Sequence, residues 1–301
     1  MGNLVSVTRA NFLPLTIVIV LAGLGGAFYA HRIFNALDAL LVLAGALLTH
    51  ASVNAFNNYF DYRSKIDART PKTPFSGGVE ILVKGAMKPS TALIVSIVTL
   101  IVAAAIGIYF LALFFSALLP IVLYGALAIV LYTPVISKIH GISEVVAGSG
   151  FGFMGLGVYV TQAGLIDGTG WAIFVPVTIL VAMLLFLNEF PDAEVDREAG
   201  RRHVVILVGK RWASRIYATA LLATYASIIL SVVFRVAPWT VLVSLLTIPM
   251  AFRAARGALS NYERTAELIP AMGMNVITIL STILLMAVGF GLAPILESVG
   301  F

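Results

Sequence analysis

Nine stretches of about 20 residues, each dominated by apolar side chains, divide this chain, and about 20 such residues in a helix cross a hydrocarbon core of roughly 30 Å. They run near 12–30, 37–60, 91–111, 115–133, 142–163, 170–190, 213–233, 238–254 and 271–295. Of the 301 residues, 60% are hydrophobic and 11% charged, and the mean hydropathy is +1.02. A soluble domain keeps roughly a quarter of its residues charged, so the lipid bilayer is the solvent this chain requires. The expected fold is all-α, a polytopic membrane protein with nine transmembrane helices bundled in one membrane-embedded domain over residues 1–301. The first run is too long for the apolar core of a signal peptide and no cleavage-like stretch follows it, so it is expected to be the first span.

The formal charge of +5 takes its meaning from where the basic residues lie. With the N-terminus in the cytoplasm, the inner segments carry Arg9, six Lys/Arg between residues 63 and 88, Lys138, six more between 197 and 215, and Arg253, Arg256 and Arg264. Only Arg32 and Arg235 fall outside. This is the positive-inside bias, which one missed helix before residue 215 would scramble. It makes nucleic acid an unneeded explanation for the charge and indicates no obligate protein partner. The plasma membrane of a prokaryote is the expected location. Cysteine is absent, so any metal must be held by oxygen or imidazole.

Two inner segments, about 61–90 and 191–212, are expected to be loops far longer than the other connections, and loops of that length tend to be lids or binding segments. Each follows a span with a polar end. Steps of four, three and four residues put His50, Asn54, Asn57 and Asp61 along one face of the second span. Asn188, Asp192 and Asp196, four apart, share a face of the sixth if its helix persists past Pro191, which removes one backbone hydrogen bond. Asn57-x₃-Asp61 and Asn188-x₃-Asp192 thus repeat one pattern, an internal duplication that predicts related halves at about 12–133 and 142–254 plus a ninth helix.

Asp inside a bilayer costs roughly 2.5–3.5 kcal/mol on insertion scales, so such residues usually face a cavity and carry function. Asn and Asp also end helices at the interface for structural reasons alone, a reading that two copies on one membrane face weaken. Hard oxygen ligands suit Mg²⁺, which often binds a carboxylate or two together with substrate phosphates. On the same face Arg63, Lys65, Arg69, Lys72, Lys138, Arg201, Arg202 and Lys210 can neutralise a pyrophosphate, or serve topology and lipid headgroups. Intramembrane acids also mark secondary transporters, but those commonly place them near the midplane.

At these motifs the chain resembles the UbiA superfamily of intramembrane prenyltransferases. NNYFDYRSKID matches its first signature at Asn57, Asp61 and Asp67, and Asn188, Asp192 and Asp196 match the second. TPFSGGVEILVKGAMKP, YTPVISKIHGISE and GRRHVVILVGKR resemble segments of the 1,4-dihydroxy-2-naphthoate prenyltransferases within it. Two departures stand out: Asn58 where Asp is common, and His203-Val204 interrupting a Lys-Thr-Leu-like run.

The resemblance implies nine spans around a central cavity, with Mg²⁺ between two Asp clusters: Asn57, Asp61 and Asp67 in one, Asn188, Asp192 and Asp196 in the other. It implies prenyl transfer from a prenyl diphosphate to an aromatic acceptor, with a glycerol-phosphate lipid precursor as the other acceptor known in the superfamily. Asp61, Asp192, Lys138 and Tyr132 are the expected catalytic residues. Arg63, Lys72, Arg201, Arg202, Asn54 and Glu144 are expected to bind substrate. Asp67 lies 240° off the face of Asp61 on an ideal helix, so the second span must bend or end before it. Phe56, Tyr59, Tyr132 and Phe190 can line the prenyl cavity or simply pack. His50 is either a proton acceptor or a hydrogen-bonded interior histidine. Gly148, Gly152 and Gly155 are expected to let helices approach closely.

Overall fold

The computed structural model describes residues 2–70, 72–76 and 80–299, and among these it is wholly helical, without a strand. A short helix α1 (Gly2–Val7) precedes α2 (Leu13–His31), α3 (Ala36–Arg63), α4 (Pro89–Leu113), α5 (Phe115–Leu131) and α6 (Ser143–Ala163). Then come α7 (Gly168–Glu198), α8 (Val204–Val208), α9 (Lys210–Val233), α10 (Ile248–Asn261) and α11 (Thr265–Ser298). Among the described residues, eight helical segments are long and apolar enough to cross a membrane, and α5 is a shorter apolar ninth of 17 residues. They fall on the nine expected spans.

The ends of α3 and α7 decide where the polar residues go. Asn35 caps α3 by accepting hydrogen bonds from the backbone N–H groups of Leu37 and Asp38. The helix stops at Arg63, and Lys65 at φ 59° reverses the chain. Asp167 caps α7 from Thr169 and Gly170 and also accepts from the Tyr159 hydroxyl at 2.7 Å. From there α7 runs unbroken through Pro176 and Pro191 to Glu198.

That continuity corrects the expectation of a long loop at 191–212. Residues 192–198 read DAEVDRE, mostly good helix formers, and Ala193 and Asp196 on this extension are buried. After Glu198 only a short link, α8 and Gly209 precede α9. The segment after α3 does lack a long helix over its described residues. The eighth span opens as a 3₁₀ stretch, Trp239–Thr247, in which the Ser244 and Thr247 hydroxyls donate to the carbonyls of Val241 and Ser244. Such back-bonding competes with regular α-helix geometry.

One hydrophobic core extends from Leu15 on α2 to Phe290 on α11. At its centre α6 lies hard against α7: a Cβ at Gly148 would strike the Thr178 carbonyl oxygen, and one at Gly152 the Thr178 hydroxyl. Gly155 faces Ile173 across the same seam and also meets Ile19 of α2.

Candidate active site

The C-terminal ends of α3, α5 and α7 surround a polar pocket of about 120 Å³. Asn57, Asp61 and Asp67 line one side, and Asn188, Asp192 and Asp196 the other. Arg201 joins the two sides. Its Nη2 donates to Asp61 Oδ1 and its Nη1 to Asp196 Oδ1 at 3.1 Å. Asp61 and Asp196 are buried, so one guanidinium neutralises carboxylates from helices far apart in sequence.

The chain reversal after α3 supplies the third acid of the first set. Ile66 N–H returns to the Asp61 carbonyl at 3.1 Å, which turns Asp67 back into the pocket wall with only 3% of its surface exposed. Burial, and then the neighbouring Asp61 carboxylate, push the Asp67 carboxyl up to about 6. Lys72 Nζ holds the turn by donating to the Asp67 carbonyl at 2.8 Å. Farther along, the Ser76 hydroxyl donates to Asp192 Oδ1 at 3.3 Å, so this segment reaches α7 across the pocket. Gly77, Gly78 and Val79 of the FSGG segment lie outside the described residues.

Three oxygens of the two motifs, Asn57 Oδ1, Asp67 Oδ2 and Asn188 Oδ1, are buried without a hydrogen-bond partner among the described residues. Leaving such an atom unsatisfied costs about 1–3 kcal/mol. All three belong to residues of one pocket that also holds Asp61, Asp192 and Asp196. Hard, oxygen-only donors of this kind fit a Mg²⁺ ion.

The polar pocket continues into an apolar cavity of about 240 Å³, much more than a buried water occupies. Arg9, Asn57, Phe75, Tyr132 and Asn188 border both. Phe12, Val53, Ile129, Phe151, Met154 and Leu184 form much of the inner wall. An anionic head and a hydrocarbon tail can therefore be accommodated end to end.

The other candidates divide by position. Tyr132 stands where the two spaces meet. Asn54 faces the apolar cavity and donates to the Thr8 carbonyl at 2.9 Å, and His50 beside it pairs with the Thr16 hydroxyl at 2.7 Å. His50 is thus a hydrogen-bonded interior residue. Arg63 is exposed and lies over the Tyr59 ring, Lys138 is exposed, and Arg202 binds Ser137 and Gly141 only through its backbone; none of the three lines the pocket. Glu144 is buried behind the pocket, accepting from Val204 N–H at 2.6 Å. Phe56 stacks on Phe60, and Phe190 is buried against Phe186, both away from the cavity.

Two residues at the pocket escaped sequence reasoning. Arg9 reaches the pocket from the turn before α2, at φ 49°, and donates through Nε and Nη2 to Asn58 Oδ1 at 3.0 and 2.7 Å. Asn58 in turn donates to the Val7 carbonyl, so it anchors the N-terminal segment. Phe75 sits at the junction of pocket and cavity. No local sequence signal marks Arg9, because its contact with Asn58 spans 49 residues.

Residues 16–277 match the UbiA prenyltransferase family. The 1,4-dihydroxy-2-naphthoate octaprenyltransferase of Bacillus subtilis (strain 168) is 28% identical over 281 residues, covering 90% of this chain and 87% of that protein. The apo structure of a UbiA homolog from Aeropyrum pernix K1 superimposes with a TM-score of 0.71 at 21% identity, over 94% of this chain and 98% of the other. A UbiA homolog from Archaeoglobus fulgidus bound to DMAPP and Mg²⁺ gives 0.65 at 14% identity, over 95% and 99% of the two chains. With its helices in this arrangement and most of its length matched, the chain belongs to the UbiA prenyltransferase family and is a membrane-embedded prenyltransferase.

Proposed function

We propose that this enzyme transfers a polyprenyl group from its diphosphate to an aromatic acceptor, a naphthoate-type quinone precursor, and releases pyrophosphate. The observation that carries the reading is the polar pocket, lined by both Asp motifs, opening onto the apolar cavity. The B. subtilis relative, a naphthoate octaprenyltransferase by name, supports the choice of acceptor.

In this reading Asn57, Asp61 and Asp67 with Asn188, Asp192 and Asp196 hold Mg²⁺, which when bound offsets negative charge on the departing oxygens. Arg201 and Arg9 add fixed positive charge at the same end of the substrate. The allylic carbon–oxygen bond breaks, its electron pair leaves with pyrophosphate, and a ring carbon of the acceptor forms the new carbon–carbon bond and then loses its proton. Tyr132 and Phe75 stand where the reacting carbon would lie and present ring faces to developing positive charge. The apolar wall holds the tail and excludes water, which favours transfer over hydrolysis. Lys72 steadies the turn that carries Asp67. Lys138, Arg63 and Arg202 have no part in this assignment, and Glu144 acts from behind the pocket.

The positive-inside pattern supports a cytoplasmic N-terminus and pocket mouth in a prokaryotic plasma membrane. The test is purified enzyme in detergent with Mg²⁺, prenyl diphosphates of several lengths, and naphthoate or glycerol-phosphate acceptors, read by mass spectrometry and pyrophosphate release. Prenylated naphthoate is the expected product. A product formed only on glycerol phosphate overturns the acceptor, and no pyrophosphate with any pair overturns the reaction.

A further inference from the structure

Behind the pocket wall lies a second group of ionisable side chains. Glu144 near the start of α6, Glu189 on α7 and His203 just before α8 are all buried, and one ligand atom from each lies within 4.8 Å of the others. Glu144 is outside the lining of the polar pocket, whereas Glu189 and His203 form part of its wall.

We infer that Glu144, Glu189 and His203 form a second divalent-cation site, suited to Zn²⁺ rather than Mg²⁺. The Glu144 carboxylate is held in place, Oε1 accepting from Val204 N–H at 2.6 Å and Oε2 from the Ser143 hydroxyl at 2.7 Å. Among the described residues, Glu189 Oε2 and both ring nitrogens of His203 have no hydrogen-bond partner, although these residues are 7% and 2% exposed. Two carboxylates and an imidazole crowded into a buried space call for a cation.

The spacing matches. His203 Nδ1 lies 3.6 Å from Glu189 Oε2, and a tetrahedral ion with bonds of about 2.1 Å sets its ligand atoms roughly 3.4 Å apart. All three ligand atoms lie within 4.8 Å of one another, so a bound ion would have to draw any wider pair inward. The other ring nitrogen, Nε2, lies 3.3 Å from Asp196 Oδ2. A metal-bound imidazole characteristically directs its other nitrogen toward a carboxylate, and Asp196 is the acid within reach, although the contact lacks hydrogen-bond geometry as it stands. Imidazole in the ligand set selects Zn²⁺ over Mg²⁺, which prefers oxygen alone. Two carboxylates and Zn²⁺ also cancel in charge, as a buried cluster requires.

The ion would pin the stretch carrying Arg201 to the ends of α6 and α7. Metal content is the readout, so the inference stands or falls apart from the acceptor and from transfer itself. Full-length enzyme is stripped with chelator and dialysed against micromolar Zn²⁺ in excess Mg²⁺, and then assayed for bound zinc. Co²⁺ in place of Zn²⁺ reports geometry through its visible absorption.

The expected result is a single tightly held Zn²⁺ per chain, with a tetrahedral Co²⁺ spectrum. Both should be lost in His203→Gln and Glu144→Gln and kept in Asp192→Ala. A Mg²⁺-induced thermal shift in the two former variants serves as the check that they fold. No zinc retained by the unmodified enzyme overturns the site. Equal retention by His203→Gln, or loss in Asp192→Ala alone, assigns the zinc to the Asp motifs and overturns it too.

Discussion

Arg201 touches an acid from each motif, so its removal leaves two buried carboxylates, Asp61 and Asp196, without their shared cation. Breaking a buried pair from one side costs about 3–5 kcal/mol. Because Arg201 keeps 21% of its side chain exposed, the lower end of that range is expected. Arg201→Gln should melt well below the unmodified enzyme in chelator and recover part of the loss in Mg²⁺, as scanning fluorimetry in detergent would read. Equal melting under both conditions would deny it the bridging role. Asp61→Ala and Asp192→Ala should each abolish Mg²⁺-dependent pyrophosphate release while eluting as folded protein on gel filtration; retained turnover would take that residue out of the metal set. Asn58 gives a gentler case: its amide holds Arg9 without cancelling the charge. Asn58→Asp should neutralise it and raise KM for prenyl diphosphate about tenfold, an effect near 1.4 kcal/mol, with little change in kcat. Five of the six motif residues were readable because intervals of four mark one face of a helix. Asp67 required the helix to end, which α3 does four residues earlier. Arg9 and Phe75 reach the site through tertiary contact alone, and no local period encodes that.

At the level of elements, the spans were legible because lipid imposes one length and one polarity on each. Their ends were less so. Charged residues after Pro191 read as loop because charge usually marks the way out of the membrane, yet the local propensity of DAEVDRE carried α7 onward as helix. The 3₁₀ opening of the eighth span was equally hidden, since the hydroxyls that tighten it look like ordinary small polar residues. The seam between α6 and α7 follows from glycine, as expected, and it fixes how far apart Glu144 and Glu189 stand. Gly148→Leu would force a side chain into the Thr178 carbonyl. Overpacking typically costs about 1–3 kcal/mol, and backbone contact places this substitution at the upper end. The expected sign is a lower melting temperature together with weaker prenyl diphosphate binding by calorimetry; an unchanged melting curve would mean that the seam has slack.

For the whole molecule, orientation is the property that charge alone proposes. An odd number of spans sets the termini on opposite sides of the membrane, and the absence of cysteine makes this simple to check. Phe34 and Lys84 are both exposed, in turns at opposite ends of α3 and its following segment. In intact cells a membrane-impermeant maleimide should label Phe34→Cys and leave Lys84→Cys untouched until the cells are opened; the reverse pattern would invert the protein. Both halves of the chain contribute an Asp motif to one pocket, and neither half encloses that pocket by itself. The shortest span has its own bearing on how a substrate arrives. Helix α5, at 17 residues, is about 26 Å long. It falls a few ångström short of an average hydrocarbon core, and it turns Phe115, Leu123 and Leu127 outward. A span this short can be matched by local thinning of the bilayer, which would fall along the wall that also supplies Gly125, Ala128 and Ile129 to the cavity. Under the proposed reaction, a prenyl diphosphate diffusing in that leaflet would meet a headgroup plane lowered toward Tyr132 and have less far to move before capture.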